Sequence, residues 1–206
     1  MTVKSPGIVL DKRLGFDKHV DDVCKTCYWH IRAFRHVRDS LPDEVAKAVA
    51  HSIVDSLLDY CNALYAVMSE VNLLKLQRVQ NALARVTTRK RKCEHITRTL
   101  TELYRLSIKQ SITFRLASIT LKTLHTCQPG YLHNLLHFYA PARNLRSSSQ
   151  GLLLVSRTRT VLAGRGFRHS AVSAWNDLPA HIRNVSTISS FKHNLNTFVF
   201  TAALTN

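Results

Sequence analysis

The stretch from residue 70 to residue 92, EVNLLKLQRVQNALARVTTRKRK, carries two helical periodicities at once. Its apolar residues recur at steps of three and four, as in a helix with one buried face; they are Leu73, Leu76, Val79, Leu83 and Val86. Basic residues recur at similar steps; they are Lys75, Arg78, Arg85 and Arg89. At about 100° per residue, the basic side chains share an arc turned away from the apolar one. The stretch therefore predicts a long helix with one face in a core and a basic face outside it.

The basic face has two interpretations. Most charged helix faces are simply solvated. Here no acidic residue stands at the helical spacing that would pair with the basic stripe, which favours contact with a nucleic acid. The candidate nucleic-acid-binding residues are Lys75, Arg78, Arg85, Arg89, Lys90, Arg91 and Lys92, and a second candidate group further along the chain is Arg157 and Arg159.

The charge balance points to a polyanionic partner. The 206 residues include 29 Lys and Arg against 13 Asp and Glu, a formal charge of +16, and the isoelectric point is near 10.2. RNA, DNA or an anionic membrane would suit such a charge, but no apolar run reaches the roughly 20 residues of a transmembrane helix. Pro6-Gly7 and the charges at 11–13 are unlike a signal peptide, and five cysteines suit a reducing compartment. We expect an intracellular protein, nuclear or cytoplasmic, without a membrane partner.

The other periodicities predict a mostly α-helical fold, and the chain has only 6 Gly and 5 Pro. Ile8-Val9-Leu10 is typical of a short strand, whose partner strands we expect to be missing, because a lone strand cannot satisfy its backbone groups. Besides 70–92, long helices are expected at 17–37, 42–64, 107–124 and 189–203, with a polar loop at 141–150 and a short strand at 152–155. The second helix should be the most buried, through Val45, Val49, Ile53, Leu57, Cys61 and Leu64, widened by Ala46, Ala50, Val54 and Leu58.

Two clusters suggest a metal, and both have a simpler explanation. Asp21-Asp22 is the one paired carboxylate of the chain, and adjacent aspartates hold two metal ions in palm-type polymerases. Here they are expected in the first turn of a helix, where they would stabilise the helix dipole. Cys24 and Cys27 have the spacing of half a zinc site but lack a second ligand pair, so we expect buried thiols. The sequence predicts no catalytic residue, no metal site and no cofactor.

Six stretches combine into a specific set of motifs: GIVLDKRLGFDKHV at 7–20, LDYCNAL at 58–64, LQRVQNALARVTT at 76–88, IKQSITFRLASITLKTLHTCQPGYL at 108–132, SAVSAWNDLPAHIR at 170–183 and FKHNLNTFVF at 191–200. In this order and spacing they resemble the region that follows the polymerase palm in reverse transcriptases of non-LTR (LINE-type) retrotransposons of the jockey-like group. The resemblance covers nearly the whole chain.

The resemblance implies a fragment of an RNA-directed DNA polymerase. Residues 1–16 would be a remnant of palm-edge strands and residues 17–139 a thumb-like helical bundle against the template–primer duplex. Residues 140–206 would form a basic loop and a less regular C-terminal helical extension. The palm aspartates that bind the catalytic metals of such enzymes have no counterpart here. We therefore expect a chain that is inactive alone and contacts the backbone of RNA or an RNA–DNA duplex, with the missing palm and fingers as a further partner.

The chain departs from this family where Arg105 and Ser107 stand in place of a tryptophan and a proline. Losing a large aromatic residue there should loosen packing between the third and fourth long helices. Two other hypotheses remain open. One is a helical structural or protein-interaction domain without nucleic-acid function, and the other is a polymerase whose palm is supplied by another chain. Retention of RNA in a gel shift at moderate salt would separate the first of them from nucleic-acid binding.

Overall fold

The computed structural model describes residues 2–5, 7–12, 14–140, 151–185 and 187–204. It confirms a mostly α-helical fold with an N-terminal strand. The chain divides into two compact units, Met1–Ser111 and Ile112–Asn206, and this division falls inside one long helix, Ile108–Thr126. The domain boundaries expected after residues 16 and 139 stay predictions, and the polar loop expected at 141–150 lies outside the described residues.

The predicted N-terminal strand is present, and its neighbour in the chain pairs with it. Strands β1 (Thr2–Ser5) and β2 (Ile8–Asp11) form an antiparallel hairpin. Strand β2 is therefore not a lone strand, because a local hairpin satisfies one of its edges; that further strands of a sheet are missing stays a prediction. The hairpin turn contains Gly7 at φ +74°, and a Cβ added there would lie 2.5 Å from the Tyr60 ring. The left-handed backbone favours glycine at this position, and a larger residue would also displace the exposed Tyr60 ring.

The first unit continues with α1 (Asp17–Val37), α2 (Asp43–Ala50), α3 (Ser56–Asp59), α4 (Glu70–Thr87), α5 (Thr97–Glu102) and the beginning of α6 (Ile108–Thr126). A 3₁₀ turn at Arg38–Ser40 follows α1, a π-helical turn at His51–Asp55 joins α2 to α3, and a 3₁₀ segment at Asn62–Val67 precedes α4. Helix α1 buries a stripe at helical spacing, which consists of Val20, Cys27, Ile31 and Phe34.

The second predicted helix is interrupted, and only the part of its expected apolar face that was predicted to widen it is buried. Its buried stripe is Ala46, Ala50, Val54 and Leu58, whereas Val45, Ile53 and Leu64 are 44%, 40% and 48% exposed. Two apolar stripes compete on this segment. We attribute the outcome to the two alanines, whose small side chains allow α2 to approach α4 closely, and to the π turn, which shifts the helical phase of the residues after it. The prediction that this helix is the most buried was therefore wrong.

Helix α4 has the predicted inner face but ends five residues early. Leu76, Val79, Leu83 and Val86 are buried, and the Ser69 hydroxyl caps the first turn by accepting from the backbone N–H of Asn72 at 3.4 Å. The helix ends at Thr87, not Lys92. The hydroxyls of Thr87 and Thr88 donate to carbonyls four residues back, which disfavours further helix, and Arg89 has φ +54°. Residues 89–92 therefore lie outside the helix.

The second unit contains the rest of α6, then α7 (Gly130–His133), α8 (Val161–Gly164), α9 (Phe167–Asn176), α10 (Ala180–Arg183) and α11 (Ile188–Leu204). The Trp-Asn pair of the WNDLP motif organises its core. The Trp175 ring stacks on Phe191 with centroids 5.7 Å apart, and the indole N–H donates to the Gly151 carbonyl at 2.9 Å. The Asn176 amide accepts from the Leu153 N–H and donates to the Leu153 carbonyl, both at 2.9 Å.

The strand expected at 152–155 is reduced to one isolated antiparallel bridge between Phe138 and Leu153. None of the described helices is long and apolar enough to span a lipid bilayer.

Candidate nucleic-acid interface

Helices α1 and α4 pack side by side and run in the same direction. Near their beginnings, the Lys75 ammonium lies 2.6 Å from the Asp21 carboxylate, and near their ends the Arg38 Nε donates to the Thr87 carbonyl at 2.8 Å. Between these two contacts the helices bound an open groove with a volume of about 860 Å³, which we call the α1/α4 groove.

The lining of the α1/α4 groove is strongly basic. Seven of its residues are cationic: Arg35, Arg38, Arg78, Arg85, Arg89, Lys90 and Lys92. The remaining lining residues are Tyr28, Asp39, Asn81, Ala82 and Val86, so one carboxylate opposes the seven cations. Cations converging in a concave, partly desolvated surface produce a stronger positive potential than the same charges spread over a convex one. The groove is therefore suited to a polyanion.

Three lining arginines, Arg35, Arg78 and Arg85, form no ion pair within the part of the chain that the structure describes. Arg78 is exposed and forms no hydrogen bond or ion pair with the described residues. Arg85 is half-buried, its Nε has no hydrogen-bond partner in the described part of the chain, and its Nη2 makes a long contact of 3.5 Å to the Glu94 carbonyl. Desolvation strengthens the attraction of such a guanidinium for an anion, and its planar fork suits phosphate oxygens.

Arg38 supports the groove. It is 3% exposed, and besides binding the Thr87 carbonyl it donates to the Leu41 carbonyl at 3.0 Å and to the Asp43 carboxylate at 2.6 Å. The hydrogen bond from Arg38 lowers the pKa of Asp43. Arg38 thus holds the C-terminal end of α4 against the end of α1, where a cation also complements the helix dipole.

Arg89 and Lys90 have acidic partners, contrary to the inference that the basic residues lack them. Arg89 lies 3.3 Å from the Asp39 carboxylate and 3.4 Å from that of Asp43. Lys90 donates to the Thr99 hydroxyl at 2.7 Å and lies 3.6 Å from Glu102. Helical spacing within one stretch cannot reveal these partners, because they come from other elements.

The remaining predicted binding residues lie elsewhere. Lys75 pairs with Asp21, and neither Lys75 nor Arg91 lines the α1/α4 groove. Arg157 and Arg159 are exposed in the second unit. The structure thus brings together five of the predicted residues, which are Arg78, Arg85, Arg89, Lys90 and Lys92.

Seven lining residues were not predicted to bind, and Tyr28, Arg35 and Arg38 are the aromatic and cationic ones among them. Tyr28 and Arg35 are seven residues apart on α1 and therefore share a face. Their spacing was a usable signal, but the sequence did not show that this face adjoins α4. Tyr28 is 44% exposed. Desolvation, with a smaller effect of Cys24, raises its pKa, and Arg78 opposes that shift. The phenol is therefore neutral near pH 7.

The structure shows the surroundings of the two groups of side chains that suggested a metal site. Asp21 lies in the second turn of α1 and pairs with Lys75, so the expected role at the first turn was wrong. Cys27 is fully buried, and burial raises the pKa of its thiol to about 12. Cys24 is half-buried, and burial raises the pKa of its thiol too. Within the described ranges, no three His, Cys, Asp or Glu side chains come together as a metal site would require.

Comparison with protein-family models, curated proteins and solved structures finds no match to this chain.

Proposed function

We propose that this chain binds the phosphate backbone of RNA or of an RNA–DNA duplex, as a non-catalytic thumb and post-thumb fragment of a non-LTR retrotransposon reverse transcriptase. The observation that carries the binding proposal is the α1/α4 groove, in which seven cations face one carboxylate. The family assignment rests on the order and spacing of the sequence motifs.

The charge arrangement favours a polyanion over a small anionic ligand. The cationic lining extends from Arg35 and Arg78 to Lys92 and so offers several separate anion contacts. A nucleic-acid strand supplies phosphates at regular intervals, and each phosphate neutralised by Lys or Arg releases counterions into solution. Affinity should therefore fall steeply as salt concentration rises.

A comparison of two charge variants tests this proposal. The groove variant replaces four lining residues by glutamine: Arg35, Arg78, Arg85 and Lys92. The control variant replaces four exposed cations of the first unit that do not line the groove: Lys12, Lys18, Lys25 and Arg32. Both variants lose the same net charge, and the substituted residues avoid Arg38, which supports the fold.

We expect the groove variant to lose most of the affinity for a labelled RNA in fluorescence anisotropy. The slope of log affinity against log salt should also flatten by about three units, because each lost phosphate contact removes about 0.7–0.9 of a unit. The control variant should retain nearly all of its affinity. Equal losses in the two variants would show a diffuse attraction of a +16 chain for any polyanion and would overturn the role of the groove.

A helical protein-interaction domain is the alternative, and exposed apolar side chains support it. Val45, Ile53 and Leu64 lie on the surface of the first unit, where an unpaired apolar face is typical of a docking surface. The same titration separates the two functions, since a protein-interaction domain predicts no retention of RNA at moderate salt.

A further inference from the structure

We infer that the α1/α4 groove takes an unpaired nucleic-acid strand, with one base stacked on Tyr28 and the adjoining phosphates on Arg78 and Arg85. This inference rests on the proposed nucleic-acid function and specifies which form of nucleic acid the groove selects. It follows from the aromatic residue of the groove, Tyr28, and from the arrangement of Arg78 and Arg85 beside it.

The Tyr28 ring offers a surface on which an unpaired base can stack. Its ring lines the groove and is 44% exposed, so part of its surface is open to a ligand. Aromatic rings among cations are the recurring means of binding single strands, because every base has a face that stacks and every nucleotide has a phosphate. In a duplex the bases are already stacked and paired, and Tyr28 would contribute little.

The free cations continue from Tyr28 along the strand path. Arg78 is close enough to Tyr28 to influence the pKa of its phenol. Arg85 follows two turns later on the same side of α4, about 10 Å away along the helix axis. A base on Tyr28 would therefore place its neighbouring phosphates along the line from Arg78 to Arg85.

Electrostatic attraction alone predicts a preference for a duplex over a single strand. A duplex carries one charge per about 1.7 Å of its axis, twice the density of either strand. A protein attracted only by charge should therefore bind a duplex at least as tightly as a single strand. A preference for the single strand at equal phosphate number requires contacts with unpaired bases.

The experiment uses the whole chain and three labelled oligonucleotides: a 24-nucleotide strand, a blunt 12-base-pair duplex with nearly the same total number of phosphates, and the 24-nucleotide strand with abasic sites in place of its central bases. Anisotropy titrations are carried out at one fixed salt concentration. We expect the intact strand to bind at least fivefold more tightly than the duplex, and the abasic strand to lose about tenfold in affinity.

Substitutions of Tyr28 test whether this residue contacts the base. Tyr28→Ala should lose about tenfold for the intact strand and should no longer distinguish it from the abasic strand, whereas Tyr28→Phe should bind like the wild type. Trp29→Ala is the matched control, because Trp29 is the next residue of α1, is 66% exposed and does not line the groove. It should leave the affinity unchanged.

The outcomes separate this inference from the proposed function. If all three oligonucleotides bind and the duplex binds as tightly as the single strand, or the abasic strand binds as tightly as the intact one, the single-strand inference is wrong and backbone binding stands. If none of them binds, the proposed function fails as well. The abasic comparison needs only the wild-type chain, so the test is decisive even if Tyr28→Ala does not fold.

Discussion

Arg105 shows how a substitution that looks damaging in sequence is accommodated in the structure. The reverse transcriptases that the sequence resembles have a tryptophan at this position, and its absence was expected to loosen the joint before α6. The side chain of Arg105 instead forms an ion pair with Asp55, which is 4% exposed and lies in the π-helical turn. The Nδ1 of His51 lies 3.7 Å from the same carboxylate. Arg105 therefore connects two elements of the first unit through charge.

We predict that Arg105→Leu destabilises the protein by about 3 kcal/mol, because it leaves the buried carboxylate of Asp55 without its arginine. Arg98→Leu is the control, since Arg98 is 88% exposed in its pair with Glu102 and such a pair contributes less than about 1 kcal/mol. Urea denaturation followed by circular dichroism measures both. Similar costs for the two variants would show that the Arg105 pair is not effectively buried.

The buried thiol of Cys27 should make the free energy of unfolding depend on pH. Burial, with a smaller effect of Cys24, raises the pKa of its thiol from an ordinary value of 9.0 to about 12. Between these values the unfolded chain releases the thiol proton and the folded chain keeps it. The unfolded state is therefore favoured as pH rises, by up to about 1.4 kcal/mol per pH unit, and below pH 9 the thiol contributes no slope.

The measurement compares the slope of unfolding free energy against pH, from pH 8 to 10.5, in wild type, Cys27→Ala and Cys127→Ala. Cys27→Ala should be less stable at pH 8 but should have a shallower slope above pH 9. Cys127 is exposed, so its removal should leave the slope unchanged. Parallel curves for wild type and Cys27→Ala would contradict the buried-thiol assignment.

At the scale of elements, the end of α4 depends on the end of α1. Arg38 occupies the Thr87 and Leu41 carbonyls and the Asp43 carboxylate simultaneously. Arg38→Met should therefore destabilise the first unit by about 2–4 kcal/mol, because the buried Thr87 carbonyl and the half-buried Leu41 carbonyl lose a charged donor. It should also weaken RNA binding by disordering the groove residues at 89–92, whereas Arg32→Met, on an exposed part of α1, should do neither. Thermal melts and anisotropy titrations check the two effects together.

Sequence periodicity predicted elements well where one apolar stripe was present. Helix α4 has a single such stripe, and Leu76, Val79 and Leu83 are buried as expected. The segment after Pro42 carries two stripes side by side, and composition favoured the larger side chains at Val45 and Ile53. The choice between stripes depends on how closely helices approach each other, which is a tertiary property.

Only the part of the candidate site that lies on α4 could be predicted from the sequence, for the same reason. Arg78 and Arg85 could be placed on one basic face of α4 from their spacing. Tyr28 and Arg35 come from α1, and the pairing of Arg89 with Asp39 joins residues 50 positions apart. The periodicity of residues within one helix does not show which other helix packs against that helix.

For the whole molecule, we predict no nucleotide incorporation by the isolated chain. Polymerisation requires two divalent metal ions held by carboxylates in fixed geometry, and Asp21, the nearest candidate, is paired with Lys75. Primer-extension assays with Mg²⁺ and with Mn²⁺ test this. Extension that disappears in the Asp21→Asn, Asp22→Asn double variant would contradict the non-catalytic proposal.

The fold should also be insensitive to chelators. If Cys24 and Cys27 are core thiols, treatment with EDTA should leave the helical circular-dichroism signal and the melting temperature unchanged. A structural zinc site would instead lose folding free energy on the order of 10 kcal/mol. A fall in melting temperature that added zinc reverses would identify a metal site formed by these cysteines.

The α1/α4 groove is assembled from residues as far apart in the chain as Tyr28 and Lys92, so an unfolded chain or a peptide copied from α4 alone does not contain it. A ligand that recognises the assembled groove is therefore thermodynamically linked to folding. At a free concentration 100 times its dissociation constant, it would add about 2.7 kcal/mol to the stability of the protein. Melting temperature becomes a label-free measure of affinity, and if the proposed nucleic acid is that ligand, this chain should be most resistant to heat and proteolysis when it is bound.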